Sequence, residues 1–284
     1  MANTLDQAFK WTIASEHRNR LTNIYEPIQP YLLAEFAKYL GSSVFLDIGA
    51  NIGFYSVVMG TETEAQTIHA YEPIAPAFAE LKKNLSLNGL SARSTACKLA
   101  LSSNVGEAEM LVISALSGAN AIRDTSFHGD KKSEKIERVP VSTLDHEFSF
   151  EGKKISIKID VEGHETQVLS GGPRLLEKNT CIIQFESLGG ESHHKQCEDI
   201  LTSLGYREMI AVGPDRYFSN MYFHANDVIL CVSKALSRFV EDFKKPPIAS
   251  VNSPIRRRLF RGVTVELSPG LSRRLRKNLR RTAG

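Results

Sequence analysis

The stretch Val44–Glu72, VFLDIGANIGFYSVVMGTETEAQTIHAYE, decides the architecture of this chain. Its opening run, Ser43–Ile48, is apolar apart from its first residue and Asp47, and reads as a buried strand. A glycine-containing turn follows, Gly49-Ala50-Asn51-Ile52-Gly53, and a helix is expected from about Phe54. Thr67–Tyr71 makes a second strand, and Glu72 stands at its end. A strand, a tight turn and a helix N-terminus place backbone N–H groups at the carboxyl end of a sheet. Nucleotide-like cofactors bind at that edge in open α/β folds.

Outward from this unit the chain keeps alternating short apolar runs with amphipathic stretches, the rhythm of βαβ units on a mostly parallel sheet. Ala75–Asn88 carries Phe78, Leu81 and Leu85 at helical spacing and stops at Gly89, and Lys98–Leu101 ends a third strand. Gly106–Val141 breaks the rhythm with two alternating segments, Glu109–Ile113 and Ile136–Val141, around a polar middle at Thr125–Lys135. It reads as a β-hairpin insertion. The α/β pattern resumes with Ile155–Ile159, a helix from about His164, the strand Cys181–Phe185 and a helix over Ser192–Leu204. Tyr206–Val212 and Val228–Val232 are expected to close the sheet.

Composition sets the outer limits. With 284 residues, 42% hydrophobic and 24% charged, the chain can bury a large core and is not disordered. The four cysteines, Cys97, Cys181, Cys197 and Cys231, form no C-x-x-C pair and read as reduced core thiols. Neither a signal-peptide-like run nor a membrane-length apolar stretch is present, which points to a cytoplasmic protein. The net charge of +3 is unevenly placed: Pro254–Gly284 holds ten Lys or Arg against Glu266 alone. Basicity belongs to this tail, where Leu271, Leu275 and Leu279 form a thin stripe among arginines. A solvated tail, a peripheral contact with anionic lipid at the inner face of a membrane, and nucleic-acid contact are its alternatives, the last the weakest. The expected division is an N-terminal helical extension over 1–40, a main domain over 41–235 and the basic tail over 236–284.

Two cofactor classes use a glycine turn of this kind. A dinucleotide needs G-x-G-x-x-G to admit its pyrophosphate. Here Asn51 occupies the second glycine position and the third is absent, so a pyrophosphate would meet a side chain. A methyl donor carries no phosphate and needs a close turn plus a carboxylate for its ribose hydroxyls, a task Glu72 fits. FLDIGANIGFYS, AYEP, V-P-V-S-T-L-D and IKIDVEGHETQVLSGG, taken together over roughly Tyr25–Val232, resemble the FkbM family of methyltransferases. The resemblance implies a Rossmann-like class I methyltransferase fold, α/β, with a seven-stranded mostly parallel sheet whose last strand is antiparallel. It further implies S-adenosylmethionine as donor and O-methylation of sugars, surface polysaccharides or polyketides. By the same resemblance Asp47, Gly49, Asn51 and Gly53 hold the methionyl part and Glu72 the ribose, while Pro73, Ile74, Leu101 and Ser102 flank the adenine.

Transfer from a sulfonium asks the protein to align the acceptor and remove its proton. The groups for this are expected at the ends of the middle strands: Asp160, Glu162 and His164 after one, Glu186 and Ser187 after the next. His164 or Glu162 would act as base, and Asp160 either contacts the donor's ammonium or takes part in the chemistry. Asp160 and Glu186 also stand where oxygen ligands suit Mg2+. His193 and His194 begin a surface helix or line the acceptor cleft, and the insertion with Ser117, Gly118 and Asn120 either closes over the cofactor or is only a surface loop. The expected activity is O-methyl transfer to a glycan or glycoconjugate precursor, with a polyketide-type small molecule as the alternative acceptor. Rival readings are an NAD-dependent oxidoreductase and a non-catalytic, basic-tailed adaptor on the same fold.

Overall fold

The computed structural model describes residues 26, 28–65, 67–114, 117–123, 135–187, 190–244 and 265–266. Helix α1 (Gln29–Leu40) precedes β1 (Val44–Ile48), α2 (Phe54–Glu62), β2 (Thr67–Tyr71), α3 (Ala75–Leu87) and β3 (Ser94–Cys97). The short β4 (Ala100–Leu101), β5 (Gly106–Val112), β6 (Ala121–Ile122), β7 (Lys135–Ser142) and α4 (Leu144–Glu147) come next. Alternation returns with β8 (Lys154–Ile159), α5 (Glu165–Ser170), α6 (Pro173–Lys178), β9 (Thr180–Glu186) and α7 (Gly190–Ser203). The chain then forms β10 (Arg207–Val212), β11 (Asp215–Ser219), α8 (Ala225–Lys244) and the two-residue β12 (Val265–Glu266).

Seven strands form the main sheet in the order β10-β11-β9-β8-β1-β2-β3, and β12 adds to the free edge of β10. The strands from β3 to β9 pair in parallel, whereas β11 lies antiparallel to both β9 and β10. This is the expected Rossmann-like sheet with one reversed strand, last of the seven in the chain. Chain order reverses between β1, whose neighbours are β2 and β8, so their carboxyl ends open a crevice at that point. Ile155, Ile157 and Ile159 of β8 point into one apolar layer with α5–α7, and Phe45 and Ile182 point into the other with α1, α2 and α8.

Three readings of the sequence are corrected here. Val228–Val232 is not a strand but lies within α8, where Val228, Cys231, Val232, Ala235 and Phe239 are buried while Leu230 is exposed. A five-residue apolar run fits either period, and the helical one emerges only across the full twenty residues. The reversed strand is β11, a mixed run (DRYFS) joined to β10 by the Gly213-Pro214 turn, with Gly213 at φ 61°. The third strand divides: Ser94–Cys97 completes the main sheet, while Ala100–Leu101 joins a second one, ordered β4-β7-β5-β6. The insertion is therefore a small sheet with its own apolar layer, including Met110, Val112, Ile122 and Val139, and not a lone hairpin.

Helix α1 buries Leu32, Leu33, Phe36 and Leu40 against α2 and α8, and ends at Gly41 in the left-handed conformation. It is a structural layer of the domain. Helix α8 runs through the boundary expected at residue 236 and on to Lys244. The polar middle of the insertion from residue 124 to 134 and the leucine stripe of the tail lie outside the described residues. Among the described residues, no helix is long and apolar enough to cross a membrane. None of the four cysteines is in a disulfide, and Cys181, Cys197 and Cys231 are buried.

Candidate active site

The turn after β1 is shaped by three left-handed residues in alternation: Gly49 at φ 79°, Asn51 at 47° and Gly53 at 86°. Asparagine is among the few side-chain residues that tolerate this region, which explains how Asn51 can stand where a dinucleotide fold would need glycine. At Gly49 no side chain fits, because a Cβ would lie 1.8 Å from the Asp160 carbonyl oxygen. Asp47, fully buried, accepts hydrogen bonds on Oδ2 from the N–H and hydroxyl of Ser56 in the first turn of α2. It caps that helix with one oxygen only. Its Oδ1, like the Oδ1 of Asn51, is buried without a hydrogen-bond partner.

Glu72 is fixed by the same turn: its carboxylate accepts from the N–H of Asn51 at 2.9 Å and from the N–H of Ile74 at 2.8 Å. Burial pushes its pKa up to about 7, and those two N–H bonds hold it from rising further. A cavity of about 430 Å³ opens between these groups, at the carboxyl ends of β1, β2 and β8. Asp47, Asn51 and Glu72 line its polar side; Pro73, Leu101, Met110, Ile122 and Val161 line an apolar slot. Ser117, Gly118 and Asn120 of the insertion also line it. The residues fit a nucleoside-bearing amino acid: an apolar slot for a base, a buried carboxylate for vicinal hydroxyls and orphaned oxygens for a charged end.

The other wall is a buried charged cluster that the sequence reading did not find. Lys158 is the last residue but one of β8 and donates to Asp160 at 2.7 Å, with its Nζ 4.5 Å from the centre of the Tyr55 ring. Burial works against its charge, but Asp160, Glu26 and Asp47 outweigh burial and hold the ammonium above its ordinary pKa. Gln184 donates to Asp215 and to the Tyr55 hydroxyl, which in turn donates to Glu26. A lysine and a glutamine inside the apolar runs ISIKID and CIIQFE are the signal that could have pointed here.

Glu186, at the end of β9, is pushed up to about 9 by burial and by the charges of Asp160 and Asp215. A carboxyl that holds its proton more tightly folded than unfolded loses native stability as pH rises, here from about 4.5 to about 9. Glu186→Gln is therefore expected to raise the melting temperature of the donor-free protein near about pH 9 and to change it little near about pH 5. Thermal unfolding at both values checks this, and a variant less stable than wild type at the higher pH would show that the burial assigned to Glu186 is wrong.

Of the residues singled out from sequence, Asp47, Gly49, Asn51, Glu72, Pro73, Leu101 and Asp160 line the cavity. Gly53 packs behind the turn, against Leu81, and Ile74 contributes its N–H to Glu72. Glu162 and Glu186 gather beside Asp160, with one carboxylate oxygen from each within 4.8 Å of the others. His164 and Ser102 fall elsewhere: they bond to each other at 2.8 Å and line a separate, more open cavity with Glu107, Arg123 and Gln167. His164 is buried. The pair ties the loop after β4 to the loop after β8, behind the apolar slot. Ser102→Ala is expected to cost about 1 kcal/mol of stability and to leave donor affinity unchanged. Calorimetric titration beside thermal unfolding tests this; a large loss of affinity would put Ser102 in the donor site.

His193 and His194 are both half-buried. His193 Nε2 sits 3.1 Å from Glu165, and His194 stacks on Phe185. Glu165 itself is buried and accepts from the N–H of Val161 and Gly163, holding the loop that carries Glu162.

A mostly parallel sheet with one reversed strand, and a left-handed glycine turn that meets a buried carboxylate, agree with a class I methyltransferase fold. The family model for the methyltransferase FkbM domain matches residues 47–208, and the chain belongs to that family. Methyltransferase sdnD from Sordaria araneosa is 26% identical over 227 residues, covering 68% of this chain and 86% of that protein. Among solved structures, methyltransferase FkbM from Methylobacillus flagellatus KT aligns at 16% identity and a TM-score of 0.48. That alignment covers 67% of this chain and 47% of the other, so this chain spans about half of its length. An O-methyltransferase from Bacillus cereus, solved with S-adenosylhomocysteine (SAH), aligns at 11% identity and a TM-score of 0.43, over 76% of this chain and 88% of that one. Family membership removes the oxidoreductase reading.

Proposed function

We propose that this methyltransferase acts on an oxygen nucleophile, a hydroxyl of a glycan or glycoconjugate precursor. The observation that carries the proposal is the cluster of Asp160, Glu162 and Glu186, all partly buried at the carboxyl ends of β8 and β9, with Asp160 in the cavity wall. Several carboxyl groups in one place suit an acceptor rich in hydroxyls, because each can accept a hydrogen bond from the substrate and one can take a proton. S-adenosylmethionine, when bound, supplies a methyl group already activated by its sulfonium. The protein's part is then alignment and deprotonation. In this reading the Asp160 carboxylate, paired with Lys158 at the cavity wall, accepts the hydroxyl proton.

The same three carboxylates suit a hard divalent cation such as Mg2+, held by Asp160, Glu162 and Glu186, which would lower the pKa of the acceptor hydroxyl. One experiment addresses acceptor and cation together. Transfer of labelled methyl from S-adenosylmethionine is followed onto oligosaccharides and sugar nucleotides, and onto phenolic and polyketide-type hydroxyls, each with and without EDTA. Label on sugars supports the proposal, and label confined to the other acceptors overturns it. Activity lost to EDTA and restored by Mg2+ supports the cation; activity indifferent to EDTA removes it.

A further inference from the structure

The donor's amino-acid end carries an ammonium and a carboxylate on one carbon, and the cavity presents matching charges side by side. Asp47 on β1 and Lys158 on β8 are register partners on adjacent parallel strands, so their side chains leave the sheet on the same face. Asp47 has one oxygen committed to Ser56 and the other, Oδ1, buried with no partner. Lysine has three N–H donors, and the Lys158 ammonium places one on Asp160. The other charged residues among the described cavity lining are acids: Asp47, Glu72 and Asp160.

A carboxylate brought among three acids needs a cation, since an unpaired buried charge is strongly unfavourable. We propose that Lys158 binds the carboxylate of the donor's methionyl part, with Asp47 Oδ1 facing the adjoining ammonium. The inference rests on S-adenosylmethionine being the donor and adds a ligand-binding role to a residue next to the carboxyl end of β8. Lys158 also faces Glu26 and Asp47, so an apolar replacement leaves buried acids uncompensated, and the folding of any variant is recorded beside its affinity.

The test is calorimetric titration of wild type and Lys158→Met with three ligands. These are SAH, its decarboxylated analogue, which keeps the ammonium, and 5′-methylthioadenosine, which lacks both charges. The variant is expected to bind SAH about 10- to 100-fold more weakly, the effect of losing a charge-assisted bond. Methylthioadenosine should be unaffected, and the decarboxylated analogue should bind as tightly as before or more tightly, because removing Lys158 leaves the site more negative. Equal weakening of all three ligands, or of none, overturns the assignment. If wild type itself does not bind SAH, the donor reading fails and not merely the role of Lys158. If Lys158→Met does not fold, wild type still decides: equal affinity for SAH and its decarboxylated analogue overturns the proposal.

Discussion

Glu72→Ala is expected to weaken binding of SAH by about 100-fold or more, since two charge-assisted bonds to ribose hydroxyls are each worth about 1.5–3 kcal/mol. The carboxylate is already aimed: the N–H groups of Asn51 and Ile74 hold both its oxygens from behind. The alanine variant loses the hydroxyl contacts and leaves those N–H groups unpaired, so its melting temperature must be recorded alongside. Glu72→Gln separates the two effects, because it keeps the shape and one acceptor oxygen but not the charge. It should bind about tenfold more weakly than wild type. The pH dependence gives an independent reading. Burial raises Glu72 to about 7, and binding favours the ionised, acceptor-only form, so wild-type affinity should rise as pH climbs through about 7 and then level off. That rise should be absent in Glu72→Gln. Unchanged affinity in a folded Glu72→Ala protein would mean that this carboxylate does not meet the donor.

The largest effect on stability is expected at Gly49. An alanine Cβ there would sit 1.8 Å from the Asp160 carbonyl oxygen, on a backbone already at φ 79°. The obstacle is backbone, and Asp160 N–H is itself bonded to the Ile48 carbonyl, so relief would require β1 and β8 to part at the crevice. Gly49→Ala is expected to destabilise the fold by about 4 kcal/mol or more, at the upper end for a single substitution. Gly89→Ala is the matched control. Its φ of 68° carries similar backbone strain, but nothing lies within 4 Å of the added carbon, so a cost of about 1–2 kcal/mol is expected. Denaturant unfolding of both variants measures the difference. Equal costs would show that the close approach of the two strands contributes nothing.

The turn Asp47–Gly53, Glu72 at the end of β2, and Asp160 and Glu186 at the ends of β8 and β9 were all legible in the sequence. Each is a local pattern: an apolar run, then a turn or a polar residue at its carboxyl end, and the parallel sheet gathers such ends on one edge. What the sequence did not disclose depends on partners far along the chain. Whether Val228–Val232 was strand or helix depended on which face met α1, and β11 is a strand because β9 and β10 flank it, not because DRYFS is apolar. His164 was one of two candidate bases; in the structure it bonds to Ser102, 62 residues away, and lines a different cavity. Lys158, inside the apolar run ISIKID, drew no reading from sequence. Only the pairing of β8 with β1 sets it beside Asp47, and only the return of β9 and β11 surrounds it with Gln184 and Asp215. Hydrophobic period and turn chemistry act over a few residues and can be read directly. Burial, charge pairing and the choice between two cavities are properties of the assembled sheet, and the tertiary structure alone decides them.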